Sequence, residues 1–311
     1  MGKHARVFFL LLAVLPHGGC ADFAKRAAVT FFYREADLPQ QQVYKDLAYW
    51  SDPLAHPRKH RLDFFVPQGG RWPVLIFVHG GAWRRGDKAL EFGGVDPYGN
   101  IGRFYAARGV GVAVINYRLQ PAVTWREQIL DVARAMVWVF EHADYYGADK
   151  HAVFLFGHSS GAHLVARTAL DHELLRKAGV PLGLPCGVIA VSGAPYDIAD
   201  EKTYELGTSR TRFERPFRAG QGNDRWKYDA SPLHFVAPSA SPFLLLHGAW
   251  ETRGLKRQNQ IMAAALQNAG VPNRLVEAGW DGHFLIVASL SRPDTQASAA
   301  VLEFIRASKC A

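Results

Sequence analysis

Short apolar runs bounded by turn residues alternate along this chain with longer segments of helical periodicity. A run such as Pro73 to Val78 carries no polar position, as expected of a strand that is buried on both faces of a sheet. The pattern predicts strands at 60–66, 73–78, 110–115, 149–156, 188–191, 243–246 and 274–277, and helices at 104–108, 124–146, 162–179, 257–269 and 294–307. Strands that alternate with helices in this way predict an α/β fold, with a mostly parallel central sheet flanked by helices.

The clearest helix begins after Thr124 and is expected to extend to Tyr146. Its apolar positions follow a 3.6-residue period, and Thr124 is a residue type that favours the N-cap. Those positions are Ile129, Val132, Ala133, Met136, Val137 and Phe140. One side of this helix is therefore expected to pack on the sheet.

Two regions lack a clear pattern. Residues 20–59 predict an N-terminal arm, with a short helix near 22–34 and irregular structure after it, of which 44–57 is expected to pack on the main body. Residues 194–240 are rich in Arg, Tyr, Gly and Pro, and they predict an irregular, cap-like insertion. A long irregular insertion in a compact domain is usually a lid or binding loop, or else mobile. We therefore expect one α/β domain over 60–311 that carries this insertion.

Composition agrees with a globular protein but excludes little. The 311 residues are 49% hydrophobic and 21% charged, enough for one large α/β domain or two small ones. The net charge is +8, and even the densest basic stretch, 210–227, contains Glu214 and Asp224. No nucleic-acid recognition motif accompanies the charge, so a solvated basic surface is favoured over a nucleic-acid partner. Weak attraction to an anionic membrane is the alternative. Oligomeric state is not indicated.

The N-terminus predicts export. Lys3, His4 and Arg6 precede an apolar run at 7–15 that is too short to cross a bilayer, as in a signal peptide over 1–19. Gly18, Gly19 and Cys20 resemble the end of a bacterial lipoprotein signal, although His17 departs from that pattern. The protein is therefore expected to be periplasmic or secreted. Two interpretations of the cleavage site stay open: a membrane anchor on lipidated Cys20, or simple cleavage after small residues.

The two remaining cysteines are Cys186 and Cys310. Export would permit them to pair, but sequence alone does not show whether they lie close together. No C-x-x-C pair and no His/Cys group has the spacing of a zinc site, so we expect no metal.

A candidate nucleophile lies at 157–161, Gly-His-Ser-Ser-Gly, between an apolar run and a segment with helical pattern. A serine at the apex of G-x-S-x-G, between strand and helix, is typical of a nucleophile elbow. The glycines allow strand and helix to approach, and the helix N-terminus favours developing negative charge. Gly and Ser are common in turns, so the pentapeptide alone is a weak signal.

A serine nucleophile needs a base, and the base needs an orienting acid. Glu251 follows the predicted strand 243–246, and His283 follows the last strand. The order Ser159, Glu251, His283 is one of the known orders of such triads. Asp197 and Asp281 are rival acids, for which capping and turn formation are the simpler interpretations.

Together these motifs resemble the α/β-hydrolase superfamily, from about residue 60 to the C-terminus. The closest resemblance is to HGG-type carboxylesterases and their kynurenine-formamidase-like relatives. The segments that carry it are His79-Gly80-Gly81-Ala82-Trp83, Gly86-Asp87-Lys88, Asn116-Tyr117-Arg118-Leu119, Gly157-His158-Ser159-Ser160-Gly161-Ala162-His163-Leu164, His247-Gly248 with Glu251, and Gly282-His283-Phe284.

The resemblance implies roles for the three triad candidates. Ser159 would be the nucleophile, His283 the general base and then acid, and Glu251 the acid that orients His283. Glu251 is a departure, since relatives more often carry Asp at this position.

The resemblance also implies an oxyanion hole and no cofactor. The backbone N–H groups of Gly80, Gly81 and Ser160 would stabilise the oxyanion, for about 3–4 kcal/mol per donor. Trp83 would line the acyl or alcohol pocket, or would be an ordinary core side chain. His79 and His247 are expected to be structural.

The implied function is a serine hydrolase that cleaves small to medium carboxylic esters through an acyl-enzyme. Ala82 stands where a third glycine would accommodate bulky tertiary alcohol esters, so such esters are not expected. Aryl formamidase activity is an alternative that export disfavours. A catalytically inactive fold used for binding is a second alternative, against which the intact triad argues.

Overall fold

The computed structural model describes residues 33–91, 94–218, 225–279 and 281–310. The predicted signal peptide, Cys20 and most of the helix predicted at 22–34 lie outside these residues.

Within the described residues, eight strands form one sheet in the order β1-β2-β4-β3-β5-β6-β7-β8. The first two strands are antiparallel to their neighbours, and the other pairs are parallel. The strands are β1 (Val43–Ala48), β2 (Arg61–Phe65), β3 (Trp72–Val78), β4 (Gly111–Ile115), β5 (Ala148–His158), β6 (Gly187–Val191), β7 (Phe243–Gly248) and β8 (Asn273–Ala278). This is the mostly parallel sheet that the sequence predicts.

Helices cover both faces of the sheet. They are α1 (Pro97–Ala106), α2 (Trp125–Tyr146), α3 (Ser160–Ala169), α4 (His172–Ala178), α5 (Glu201–Glu205), α6 (Arg210–Arg218), α7 (Trp226–Ala230), α8 (Arg253–Asn268), α9 (Leu285–Ser289) and α10 (Gln296–Ala307), with 3-10 turns at Gln40–Gln42 and Pro232–Phe235. Strand β3 shows why its sequence has no polar position. Val74 and Ile76 pack into the core that contains α2, α3 and α8, whereas Leu75 and Phe77 pack into the opposite core, with α1, α9 and α10.

Helix α2 begins and ends where the sequence predicts. The Thr124 N–H donates to Glu127 Oε2 at 2.8 Å, which completes a capping box. At the other end Gly147, with φ +84°, terminates the helix in the left-handed conformation that glycine adopts without strain.

The sequence predicts an irregular N-terminal arm, but Val43–Ala48 forms strand β1. This edge strand is largely exposed and its register shifts between Tyr44 and Leu47. Asp46 also has a φ of +55°. An exposed, bulged strand shows no alternation of apolar and polar residues. The sequence pattern therefore does not reveal that the sheet begins before residue 60.

The other differences concern short helices. The 194–240 insertion contains α5, α6 and α7 rather than irregular structure throughout, and α9 follows the predicted base loop. Helix α1 begins at Pro97 instead of 104, and the helix predicted at 162–179 is divided into α3 and α4. Helices of one or two turns are too short to show a hydrophobic period, so the pattern cannot find them.

A disulfide joins Cys186, which precedes β6, to Cys310, which follows α10. The Cα atoms lie 5.2 Å apart across a sequence separation of 124 residues. The bond therefore attaches the C-terminal helix to the middle of the sheet. No helix in the described ranges has the length and apolar character needed to span a membrane.

We expect removal of this disulfide to destabilise the fold by about 2–5 kcal/mol, because the cross-link restricts a long loop in the unfolded chain. Urea unfolding of wild type and of the Cys186→Ala/Cys310→Ala variant tests this. Reductant should lower the unfolding midpoint of wild type and leave that of the double variant unchanged. Equal midpoints for oxidised wild type and double variant would contradict the prediction.

Candidate active site

Ser159 lies at a sharp turn between β5 and α3. Its backbone has φ +56° and ψ −120°, a conformation that non-glycine residues rarely adopt. The Ser159 N–H donates to the Val191 carbonyl at 2.8 Å, and the Ala162 N–H donates to the Ser159 carbonyl at 3.0 Å. The surrounding strand and helix thus hold the strained residue with its hydroxyl at the helix N-terminus.

Gly157 and Gly161 are glycines because no side chain would fit. A Cβ on Gly157 would collide with the carbonyl of Gly161, and one on Gly161 would collide with the carbonyl of Val78 in β3. The two contacts bring α3 directly against β5 and β3. The spacing of G-x-S-x-G is therefore a packing requirement at this turn.

The structure brings Ser159, His283 and Glu251 together. Ser159 Oγ lies 2.9 Å from His283 Nε2, and His283 Nδ1 lies 3.0 Å from Glu251 Oε1 and 3.3 Å from Oε2. A carboxylate only accepts hydrogen bonds, so Nδ1 carries the proton of the neutral ring. Nε2 is then left to accept the proton of the Ser159 hydroxyl.

The Glu251 carboxylate is ionised although its side chain is only 1% exposed. Burial acts to raise its pKa, but the hydrogen bond and charge of His283 outweigh burial, so the pKa of Glu251 lies below its ordinary value. Ser192, adjacent to β6, also favours the ionised form. A buried anion at Nδ1 stabilises an imidazolium when His283 takes up a proton.

Neither rival acid contacts His283 Nδ1. Asp281 accepts from the Ser289 hydroxyl at 2.9 Å, and burial raises its pKa. Asp197 accepts from the Ala199 N–H at 2.9 Å, a local turn. Both side chains are thus occupied in the structural roles that the sequence favours.

The loops that carry Glu251 and His283 are bonded to each other. The Trp250 N–H donates to the Asp281 carbonyl at 3.0 Å, and the Ala249 N–H donates to the Gly279 carbonyl at 3.3 Å. Because β7 and β8 are parallel neighbours, their carboxyl ends deliver acid and base to the same edge of the sheet. This edge also carries Ser159.

The loop after β3 approaches Ser159 from the other side. Gly81, Ala82 and Trp83 all have positive φ values, of +133°, +52° and +62°. A Cβ on Gly80 would lie 3.2 Å from the Ser159 Cβ, so the loop backbone directly contacts the nucleophile.

The three predicted oxyanion donors differ in their surroundings. Within the described ranges the amides of Gly81 and Ser160 donate to no protein acceptor. No protein acceptor is described for the Gly80 amide either, although the main chain of Gly80 acts to lower the pKa of Tyr98, which burial raises to about 12. The assignment of all three amides to the oxyanion hole stays a prediction.

The Gly86-Asp87-Lys88 and Asn116-Tyr117-Arg118 segments support this loop. The Lys88 ammonium, 5% exposed, pairs with Asp63 of β2 at 2.6 Å, and the Lys88 N–H donates to Asn116 Oδ1 at 2.7 Å. The Asn116 amide in turn donates to Asp87 at 3.1 Å. These motif residues connect the loop at 79–83, which is the predicted oxyanion loop, to the sheet, and their contacts are structural.

Arg118 belongs to a second buried network. It binds both carboxylate oxygens of Asp131, at 2.8 and 2.9 Å, and His60 Nε2 lies 3.0 Å from the same buried group. Burial acts to raise the pKa of Asp131, but His60 and Arg118 lower it, so the anion is retained inside the protein. The network fixes the segment after β4 to α2.

The sequence predicts Trp83 as a pocket-lining residue or as an ordinary core side chain. It is 2% exposed, its Nε1–H donates to His163 Nδ1 at 3.3 Å, and its ring packs edge-on against Phe217 of α6. The indole therefore lies in the core, which was the alternative interpretation. The pocket-lining role of Trp83 stays a prediction.

The elbow motif contains two histidines to which the sequence analysis gave no role. His163 joins Trp83 to the insertion, because its Nε2–H donates to the Ala230 carbonyl at 2.8 Å. Burial lowers its pKa to about 3, so the ring stays neutral. His158 contacts the base loop. Both lie in the quoted motif, but their partners are distant in sequence.

His79 directly follows β3, and His247 lies near the end of β7. Among the described residues, neither side chain forms a hydrogen bond to the triad. His79 stacks on Tyr117 with ring centroids 4.4 Å apart, and burial lowers its pKa to about 4. His247 Nδ1 lies 3.2 Å from the Gly248 carbonyl. The described part of the chain also contains no group of three or more His, Cys, Asp or Glu side chains that could hold a metal ion.

Comparison with known proteins assigns the family. The model of the BD-FAE family matches residues 62–266, more than half of the chain. The chain belongs to the BD-FAE family. The match contains Ser159 and Glu251 and ends before His283. It confirms the resemblance to α/β-hydrolase esterases that the motifs carry.

Two curated relatives show what this BD-FAE chain is similar to. It is 35% identical over 182 residues to esterase LipC of Mycobacterium tuberculosis (strain ATCC 25618 / H37Rv), covering 57% of this chain and 44% of LipC. It is 32% identical over 249 residues to isoprenylcysteine alpha-carbonyl methylesterase ICME of Arabidopsis thaliana, covering 76% of this chain and 55% of that protein. The chain spans about half the length of these relatives.

Solved structures confirm the α/β-hydrolase fold. Esterase B from Lactobacillus rhamnosis superposes with a TM-score of 0.70 at 20% identity, covering 98% of this chain and 95% of that one. The esterase of Pyrobaculum calidifontis superposes with a TM-score of 0.69 at 16% identity, covering 98% and 97%. At these identities the likeness concerns the fold alone.

Proposed function

We propose that this BD-FAE chain is a serine carboxylesterase that hydrolyses small to medium carboxylic esters through an acyl-enzyme. The observation that carries the proposal is the chain of hydrogen bonds from Ser159 Oγ through His283 to Glu251, at 2.9 and 3.0 Å. The first distance is within hydrogen-bond reach of a nucleophile and its base, and the second is within reach of the base and the acid that orients it.

The proposed reaction has two halves. Ser159 Oγ attacks the ester carbonyl while His283 Nε2 takes up its proton, and Glu251 stabilises the resulting imidazolium. The amides of Gly81 and Ser160 donate to the oxyanion. His283 then returns its proton to the leaving alcohol. A water molecule, deprotonated by the same Nε2, attacks the acyl-Ser159 ester, and His283 returns that proton to Ser159 Oγ as the acid is released.

Ester substrates are favoured over formamides because the relatives cited above are named as esterases. The motifs alone do not separate esterase from formamidase activity, since both reactions begin with attack of the serine on a carbonyl carbon. A substrate panel is needed to measure the alcohol and acyl preferences.

We also propose that the chain is exported, with a signal peptide over 1–19. The pairing of Cys186 with Cys310 supports this, because disulfides persist mainly in oxidising compartments. Two mature forms are compatible with this proposal: a chain anchored through a lipid on Cys20, and an unanchored chain cleaved after the small residues.

Replacement of Ser159 by Ala should reduce ester turnover roughly a million-fold, because no other group supplies the nucleophile. Nitrophenyl acetate and butyrate, compared with N-formylkynurenine, measure turnover and substrate class together. The wild type should favour the esters. Unchanged turnover in the variant would refute the mechanism, and a preference for the formamide would refute the substrate class.

Replacement of Glu251 by Gln should lower kcat about 10^4-fold, since the amide no longer stabilises the His283 imidazolium. Asp197→Asn is the matched control, because this carboxylate follows a neighbouring strand but contacts Ala199 and His234 instead of His283. Steady-state kinetics on both variants measure the loss in kcat. A larger loss for Asp197→Asn than for Glu251→Gln would exclude Glu251 as the acid.

Mass spectrometry of the mature N-terminus after expression in a bacterium tests export. A first residue at or near Cys20 is expected, with an added lipid mass if Cys20 is the anchor. An N-terminus that retains residues 1–19 would contradict export.

A further inference from the structure

His158 precedes Ser159 directly and has no role in the proposed mechanism. The side chain is 3% exposed, and its Nε2 lies 2.9 Å from the main-chain carbonyl oxygen of His283. A carbonyl only accepts, so Nε2 carries the proton and donates it. His158 therefore binds the backbone of the residue whose side chain acts on Ser159.

This bond closes a short ring of contacts around the reacting atoms. His158 is joined to Ser159 by a peptide bond, Ser159 Oγ contacts His283 Nε2, and the His283 carbonyl returns to His158. Among the described residues, that carbonyl accepts no other hydrogen bond. Glu251 holds the ring of His283, whereas His158 holds its main chain.

The same ring of His158 also contacts the oxyanion loop. A Cβ on Gly80 would lie 3.1 Å from His158 Nδ1, so the imidazole packs on the backbone of that loop. Nδ1 has no hydrogen-bond partner within the described ranges. His158 thus lies where nucleophile, base and oxyanion loop meet.

The charge state of His158 suits this position. Its ring centroid lies 5.2 Å from that of His283. Burial, followed by the charge of His283, lowers the pKa of His158 to about 3, while the carbonyl of His283 and the charge of Glu251 act in the opposite direction. A neutral donor here does not repel the imidazolium that forms on His283, as a lysine or arginine would.

We propose that His158 is a positioning residue, whose Nε2–H fixes the main chain of His283 and so keeps the base within hydrogen-bond distance of Ser159 Oγ. This inference rests on the proposed serine hydrolase mechanism and adds a residue to it. Without the bond, the remaining described hydrogen bonds of His283 itself would be those of its ring to Ser159 and Glu251. The 21% exposure of the His283 side chain leaves room for the ring to move toward solvent.

Two substitutions separate the hydrogen bond from the volume of the side chain. His158→Leu fills the space without a donor. His158→Gln places an amide nitrogen the same number of bonds from Cβ as Nε2, so it retains a donor. His151→Leu is the matched control, because His151 is an exposed histidine on the same strand, β5.

The expected result is a loss of about 10- to 100-fold in kcat for His158→Leu with little change in KM, because a small displacement of a catalytic group has this effect. The rate of labelling by a fluorophosphonate probe should fall in parallel. His158→Gln should recover most of both rates, and His151→Leu should match wild type. A folded His158→Leu protein with wild-type rates would overturn the inference, as would a His158→Gln variant that is as slow as the Leu variant.

The probe also separates this inference from the proposed function. If wild type labels no faster than Ser159→Ala, the serine hydrolase mechanism fails. If wild type labels on Ser159 and His158→Leu does so equally fast, only the role of His158 fails.

A measurement on the wild type covers the case in which His158→Leu does not fold. In the imidazole nitrogen NMR spectrum, His158 should remain a neutral ring with its proton on Nε2 as the pH is lowered through about 6.5, where an ordinary imidazole is protonated. A neutral His158 ring that carries its single proton on Nδ1 would overturn the inference, because Nε2 could not then donate to the His283 carbonyl.

Discussion

The left-handed backbone of Ser159 is the constraint on which the rest of the site depends. A non-glycine residue at φ +56° is retained only if its surroundings fix it. Here β5, β6 and α3 supply main-chain hydrogen bonds, and Gly157 and Gly161 let α3 lie against β3 and β5. The cost of the turn is thus offset by packing, and the hydroxyl is presented at the edge of the sheet.

The other functional groups reach Ser159 because parallel strands end at one edge. The loops after β7 and β8 carry Glu251 and His283, and the loop after β3 carries Gly81. Buried ion pairs away from the reacting atoms, Lys88 with Asp63 and Arg118 with Asp131, hold the flanking segments. Further partners compensate these charges, since Lys88 also contacts Asp46 and Asp131 also contacts His60 and Arg134, which keeps a polar framework in place inside an apolar fold.

Much of this arrangement could be predicted from the sequence. Strands buried on both faces give unbroken apolar runs, and the order of Ser159, Glu251 and His283 follows from where those runs end. Strand β1 could not be found, because its edge position leaves polar residues exposed. The contact of His158 with a main-chain carbonyl 125 residues away leaves no pattern either. The packing of Trp83 against Phe217, 134 residues away, likewise leaves no pattern in the sequence.

The central claim is that Ser159 becomes covalently acylated during turnover. Rapid mixing of wild type with nitrophenyl butyrate, acid quenching and peptide mass spectrometry test it most directly. We predict a butyryl group on the peptide that contains Ser159, formed within the first turnover and absent from Ser159→Ala. Turnover of the ester with no acyl group on that peptide, or with the group on another residue, would contradict the account.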